Sequence, residues 1–304
     1  MIHLPTLKQL RHYAALAEKG NFGRAAEMAG VTQSTLSASI QELEAILGAP
    51  LVDRGKRGVV FTPLGERVLE RAKSLLADAE ELAREASAAR APLTGELRLG
   101  VIPTVSPFLL PRVLPRLRKA HPKLKLFLVE DQTERLIERL RDGAIDCALL
   151  ALPYDTGPVD SASIGADVFR LVVPKAHPLA KAKRVSPAMV RGEPLLLLED
   201  GHCLTDHALS ACGIKSARPR DAFAATSLFT LVQMVANGLG VTLLPDLALD
   251  AGILRGTDLV AVPVDGDPSR ELGLVWRKGT ARAAEFRLLA QAIARDSRSG
   301  ATRV

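Results

Sequence analysis

The chain has 304 residues, 47% of them hydrophobic and 24% charged, which is enough for two or three domains with real cores and excludes a disordered polymer. Its longest apolar run falls short of the roughly eighteen residues that would suggest a membrane span, and Lys8, Arg11 and Lys19 interrupt the start where a signal peptide would be apolar; the expectation is a cytoplasmic protein. A net charge of +6 permits a nucleic-acid partner, and three cysteines in a reducing compartment argue for transient redox use or simple burial over a disulfide framework.

Leu7, Leu10, Ala14 and Ala17 predict a first helix and Phe22 to Ala29 a second. Gly30-Val31 makes a tight turn, and Leu36, Ile40, Leu43 and Leu47 line the inner face of a third helix. The opposite face offers Gln33, Ser34, Thr35, Ser37, Ala38 and Gln41 near that helix's start, with Thr32 just before it: short groups that reach base edges or phosphates in a major groove. A plain helix bundle would carry the same apolar stripe. The run Phe22-Gly23-Arg24-Ala25-Ala26, then Val31-Thr32-Gln33-Ser34-Thr35-Leu36-Ser37, Leu43-Glu44 and Leu51-Val52-Asp53-Arg54 resembles the DNA-binding signature of LysR-type regulators over its full length. The resemblance implies a winged helix-turn-helix over residues 1–62 with double-stranded promoter DNA as its partner. Many family members carry basic residues where Ala38 and Gln41 stand, so phosphate contacts should fall more on Arg24 and on the wing residues Arg54, Lys56 and Arg57. Taken as a charge run alone, that wing is a solvated loop.

From Pro63, suited to begin a helix, the chain runs to about Arg90 with Val68, Ala72, Leu75, Ala79, Leu82 and Ala86 at alternating spacings of four and three. The remaining faces are charged, so the narrow seam predicts a partner helix and residues 63–90 a dimerising linker; a helix packed on its own domain is the plainer alternative. A dimer supplies one recognition helix to each half of a palindromic site.

After Ala91-Pro92-Leu93-Thr94-Gly95 the pattern alternates. Strands are predicted at Leu97–Val101, Leu124–Val129 and Asp146–Leu150, and helices at Pro107–Ala120 and Thr133–Asp142, giving a parallel sheet with helices on both faces. A second lobe, about 165–269, holds strands Phe169–Val173, Pro194–Leu198 and Val241–Leu244 with helices Leu204–Ala211 and Leu228–Asn237. Leu272–Trp276 and a helix from Ala281 to about Arg295 return to the first lobe, about 95–164 and 270–304. Two parallel-sheet lobes resemble the periplasmic-binding-protein-like effector domain of the same family, here 91–304, and in such sheets sites form at the carboxyl ends of strands.

The segment Gly201-His202-Cys203-Leu204 lies where a strand gives way to a helix, and a helix N-terminus favours a thiolate at Cys203. Cys212 follows nine residues on; if the helix persists, about 1.5 Å per residue separates the two Cα atoms by roughly 13 Å, against the 4.4–6.8 Å or so that a disulfide tolerates. Bonding them would require the segment to unwind, coupling oxidation to shape. The passage resembles the redox segment of the peroxide-sensing (OxyR) branch of the LysR-type regulators, with Thr205 in place of the usual arginine. That resemblance implies a peroxidatic Cys203, a resolving Cys212 and a peroxide and thiolate site that includes Thr104, Thr133, His202, Asp206 and Arg270. It implies no cofactor or metal, a homodimer assembling to a homotetramer, RNA polymerase and cytosolic thiol reductants as partners, and activation of oxidative-stress genes without enzymatic turnover. Outside such a site each threonine is an ordinary helix N-cap and Arg270 a surface ion-pair residue, while His202 and Asp206 first suggest turn and cap roles. Cys147, in an apolar strand, is expected to be buried and inert.

Three rival classes share much of this pattern. A LysR-type regulator of a small organic effector would not need both cysteines. A metal sensor would use His202, Cys203, His207 and Cys212, although neighbours at 202 and 203 struggle to face one ion. A thiol peroxidase would turn over with added reductant.

Overall fold

A computed structural model describes residues 3–55, 58–88, 92–199, 203–213 and 225–298. The chain divides into two compact units, one of residues 1–89 with 141–144 and one of 90–140 with 145–304.

In the first unit, α1 (Leu7–Lys19) opens on a capping box: Thr6 Oγ1 accepts the Gln9 N–H at 3.2 Å and Gln9 Oε1 accepts the Thr6 N–H at 2.9 Å. Helix α2 (Phe22–Ala29) is capped by Asn21, and α3 (Gln33–Leu47) by Thr32, whose Oγ1 accepts the Thr35 N–H. Between them Gly30 sits at φ +66°, which makes the turn. Tyr13, Leu16, Ala25, Leu36, Ile40, Leu43 and Leu51 are fully buried together. The predicted stripes need correction at their ends: Leu7 and Leu47 are 51% and 39% exposed, and the first helix is centred on Tyr13 and Leu16. The wing is the hairpin β1 (Val52–Gly55) and β2 (Gly58–Phe61). Glu44 Oε1 accepts the N–H groups of Leu51 and Val52 at 2.7 and 3.1 Å, which ties the third helix to the start of the wing.

The linker helix α4 (Pro63–Ala88) begins where a side chain will not fit. A Cβ on Gly65 would lie 2.1 Å from the Leu51 carbonyl oxygen and 2.8 Å from the Tyr13 hydroxyl, and that hydroxyl donates to the Gly65 carbonyl at 3.0 Å. Val68, Leu69, Ala72 and Leu76 then pack on the first unit's core, while Leu75 and Leu82 of the predicted seam are 53% and 69% exposed.

The second unit is built on one path of strands in the order β4-β3-β5-β9-β6-β7, with β8 also on β6. The elements run β3 (Gly95–Val101), α5 (Ser106–Ala120), β4 (Leu124–Glu130), α6 (Thr133–Arg141), β5 (Cys147–Leu152), β6 (Val159–Pro174), α7 (Pro187–Arg191), α8 (Cys203–Ala211), α9 (Leu228–Ala236), β7 (Thr242–Pro245), α10 (Asp246–Asp250), β8 (Leu259–Pro263), β9 (Ser269–Arg277) and α11 (Ala283–Arg298). Strands β3, β4 and β5 are parallel, as predicted. The lobes are not both parallel sheets: β9 runs antiparallel to β5, and β6 is antiparallel to β9, β7 and β8. The cause is the length of β6. Its first half, from Val159 to Val168, pairs with β9 in one lobe, and its second half, from Phe169 to Pro174, pairs with β7 and β8 in the other, so one strand serves both lobes. The predicted strand Pro194–Leu198 makes only isolated parallel bridges, Leu195 to Val241 and Leu198 to Ala225. Among the described residues no helix is long and apolar enough to cross a membrane.

A buried ionic knot closes the first lobe. Arg282, just before α11, donates from Nε to Glu285 Oε2 at 2.7 Å and pairs through Nη1 with Asp146 at 3.2 Å. The two carboxylates also take backbone N–H groups, Glu285 that of Leu93 at 2.9 Å and Asp146 that of Arg98 at 2.7 Å. All three side chains are 7% exposed or less, and the carboxylates thereby anchor the strand that follows the linker.

Candidate functional site

The carboxyl ends of β3 and β4 lie side by side, because Val101 and Glu130 are register partners in a parallel pair. Thr104 and Thr133 follow those two ends, 3% and 1% exposed. Thr133 opens α6, whereas Thr104 lies in the turn before α5. Strand β9 begins beside the end of β5, where Glu271 pairs with Leu152, and so carries Arg270 into the same region.

Arg270 is 2% exposed, and its surroundings are specific. Nη1 donates to Thr104 Oγ1 at 2.9 Å, and Nη2 donates to the Thr104 carbonyl at 3.2 Å. Nε and Nη2 both donate to Asp167 Oδ2, at 3.0 and 2.9 Å. Four of the five guanidinium N–H groups are accounted for by these bonds. Because Thr104 Oγ1 accepts from a cation, its own O–H proton is directed elsewhere and remains a donor. Arg270 is therefore a buried, hydrogen-bonded residue and not a surface ion pair.

Helix α8 packs on β9 and begins at Cys203. One turn along, His207 Nε2 lies 2.9 Å from the carbonyl oxygen of Pro153, immediately past the end of β5, so the start of α8 is held near the start of β9. Thr205, in place of the usual arginine, donates from Oγ1 to the Leu198 carbonyl at 3.2 Å and fastens the first turn to the preceding segment. Leu204, Ala208 and Cys212 are buried at 3%, 1% and 2% exposure, which seats α8 and the residue beyond it in the core. Cys212 is a free thiol, and burial pushes its pKa up to about 11. Asp206 is exposed on the first turn of α8. Cys147 is fully buried and free; burial, then the neighbouring Asp146 charge, holds its thiol well above the ordinary range. His202, Lys56 and Arg57 lie outside the described residues, as do the side chains of Cys203 and Arg54. Among the described residues no group of three or more His, Cys, Asp or Glu side chains is arranged to hold a metal ion.

The structure thus brings Thr104 and Arg270 into contact and sets Thr133 at the adjacent strand end. It adds one residue that sequence reasoning passed over, Asp167. Its signal was a carboxylate just ahead of an apolar strand, which is meaningless until its cross-strand partner, Arg270, is known.

The residues expected to face DNA lie on the first unit. Thr32, Gln33, Ser34, Thr35, Ala38 and Gln41 are exposed along one side of α3, Ser37 is half-buried among them, and Arg24 is exposed at the start of α2. Thr32 Oγ1 lies 2.9 Å from Ser34 Oγ and 2.8 Å from Thr35 Oγ1, so the hydroxyls at the helix start are already ordered.

Comparison with known proteins agrees with both units. The model of the bacterial regulatory helix-turn-helix protein, lysR family, matches residues 7–66, and that of the LysR substrate binding domain matches 90–298. The chain belongs to the LysR family of bacterial transcriptional regulators. It is 44% identical to the HTH-type transcriptional regulator EstR of Acinetobacter baylyi over 94% of this chain and 95% of that one. It is 43% identical to a probable hydrogen peroxide-inducible genes activator of Mycobacterium avium, over 94% and 92%. Among solved structures it resembles a hydrogen peroxide-bound mutant of OxyR from Corynebacterium glutamicum, with TM-score 0.68 and 36% identity over 99% of this chain and 95% of that one.

Proposed function

We propose that this chain is a cytoplasmic, peroxide-sensing transcriptional regulator that activates oxidative-stress genes through a reversible Cys203–Cys212 disulfide. The observation that carries this function is the buried Arg270–Thr104 pair at the strand ends, with α8, the helix that opens at Cys203, packed on the strand that bears the arginine. The similarity to peroxide-inducible gene activators supports it.

In the first step the Cys203 thiolate attacks one oxygen of hydrogen peroxide. An S–O bond forms, the O–O bond breaks, the sulfur is oxidised to a sulfenic acid, and the second oxygen leaves as hydroxide, which becomes water by taking up the proton released to solvent when the Cys203 thiol ionised. The helix N-terminus favours the thiolate, Thr104 donates its O–H to a peroxide oxygen, and Arg270 offsets the charge on the departing hydroxide. In the second step the Cys212 sulfur displaces the hydroxyl of the sulfenic acid, which leaves as water once it takes up the thiol proton. Cytosolic thiol reductants return the pair to two thiols. Unwinding of α8 favours a second arrangement of the effector domains and so alters which half-sites a homodimer, or a homotetramer built from it, occupies together, with RNA polymerase as the downstream partner. We assign residues 1–62 to DNA binding, 63–90 to the linker and 91–304 to redox sensing, a partition supported by the family-model limits at 66 and 90.

Mass spectrometry before and after stoichiometric peroxide tests the switch: a Cys203–Cys212 linkage should appear, and Cys203→Ser should bind operator DNA yet lose activation by peroxide. Retained activation in that variant would favour a small organic effector, and continuous peroxide consumption with added reductant would favour a peroxidase.

A further inference from the structure

We infer that Asp167 is a positioning residue for the peroxide step, acting through Arg270. This rests on the peroxide-sensing function proposed above, and it assigns a role to a residue outside the thiol site.

Asp167 and Arg270 are cross-strand partners on β6 and β9. Their side chains are 4% and 0% exposed, so the carboxylate meets the guanidinium in a dry setting where an unpaired charge is strongly disfavoured. Both oxygens are used, and for different purposes. Oδ2 receives Nε and Nη2 along one edge of the guanidinium, and Oδ1 receives the Leu247 N–H at 3.0 Å from the start of α10. Held on that edge, the guanidinium can only present Nη1 to Thr104 Oγ1, and Nη1 in turn leaves the threonine O–H as a donor. Asp167 thereby fixes the orientation of two groups that meet peroxide without meeting peroxide itself. Leu247 belongs to the α10 that follows β7, so the same carboxylate also fixes the site against the second lobe.

Asp167→Asn isolates the interaction. The amide oxygen still accepts the Leu247 N–H, but the amide NH2 then faces the guanidinium, donor against donor, and the arginine loses its anchor. Two rates are read in the full-length reduced protein: sulfenic acid formation at Cys203 with hydrogen peroxide, and alkylation of Cys203 with iodoacetamide across neutral pH. Iodoacetamide needs the thiolate but not the Thr104–Arg270 arrangement. Their ratio should fall about tenfold or more in Asp167→Asn, the scale expected when a reacting group is misplaced. In an Arg270→Gln background the same substitution should cost nothing further, because the residue acts through the arginine. An unchanged ratio, or an equal loss in both backgrounds, overturns the role. Should Asp167→Asn fail to fold, the charge-balanced Asp167→Asn/Arg270→Gln variant compared with Arg270→Gln decides: equal ratios support the role and a further loss refutes it. If wild-type Cys203 resists stoichiometric peroxide, the sensing function itself fails and the role of Asp167 falls with it, an outcome distinct from a reactive wild type with an equally reactive variant.

Discussion

Resolution of the sulfenic acid by Cys212 should be limited by opening of α8, and that can be driven in both directions from the helix itself. Ala208 is 1% exposed within α8, so Ala208→Gly removes a buried methyl and adds backbone freedom to the opened state. Glycine costs a helix interior about 1 kcal/mol relative to alanine, and the lost methyl adds up to about 0.8 kcal/mol. A total of about 1–2 kcal/mol, at 1.36 kcal/mol per factor of ten, raises the opened population roughly five- to thirtyfold. Ser210 is exposed on the same helix, and Ser210→Ala gains about 0.5 kcal/mol of helix propensity, which lowers that population about twofold. Rapid-quench mass spectrometry separates the phases: loss of the Cys203 thiol, then disulfide formation. The second phase should quicken in Ala208→Gly and slow in Ser210→Ala, and neither variant should speed the first. If both variants leave the second phase unchanged, α8 does not open before the bond forms and the coupling between oxidation and shape is wrong.

The buried Cys212 thiol, raised to about 11 from 9.0, should alkylate with iodoacetamide at neutral pH about a hundredfold more slowly in the folded protein than in urea, since its thiolate fraction falls tenfold per unit. Because the folded pKa is the higher one, its contribution to stability is complete below about pH 9 and is lost as pH rises through about 11. Denaturant titrations of Cys212→Ala should show a shallower alkaline decline. Cys147→Ala should leave both oxidation phases unchanged, and a disulfide mapped to Cys147 would show that the resolving partner is misassigned. Arg282→Met leaves Asp146 and Glu285 buried without their cation, so urea unfolding should register a loss of about 3–5 kcal/mol; a loss under about 1 kcal/mol would mean the knot is hydrated and structurally minor.

The proposed site residues Thr104, Thr133 and Cys203 came from the family resemblance, although their settings, after apolar strands for the threonines and at the start of a short helix for the cysteine, were legible from runs of about ten residues. The long strand β6 was not. Only Phe169–Val173 announces itself, because there the strand is covered on both faces, while Val159–Asp167 is interrupted by exposed Ser161, Ser163 and Ala166 and broken by a register shift between Ser163 and Gly165. A half-exposed, bulged strand reads as a loop, and missing it turned a mixed sheet into two parallel ones. Pro194–Leu198 erred the other way: Leu195, Leu196 and Leu198 are buried, but the Thr242 hydroxyl bonds the Leu196 carbonyl, and the segment pairs only in isolated bridges. Leu7 and Leu47 failed because a helix's apolar stripe outlasts the surface it packs on.

Asp167 marks the point where a local pattern stops informing chemistry. Its partner lies 103 residues away, and only the antiparallel pairing of β6 with β9 makes them neighbours. The same pairing explains why the arginine can be dry. An isolated guanidinium at 0% exposure would be untenable, yet with a carboxylate on one edge and threonine oxygens on the other its charge and its N–H groups are matched by protein atoms. In the proposed peroxide step such a cation would be oriented beforehand, so little reorganisation would remain for the moment at which negative charge develops. Cys212 is placed by the opposite logic: it is buried where its thiolate is disfavoured. In the proposed switch it would therefore resolve only after α8 opens, and the order of the two steps would follow from that burial.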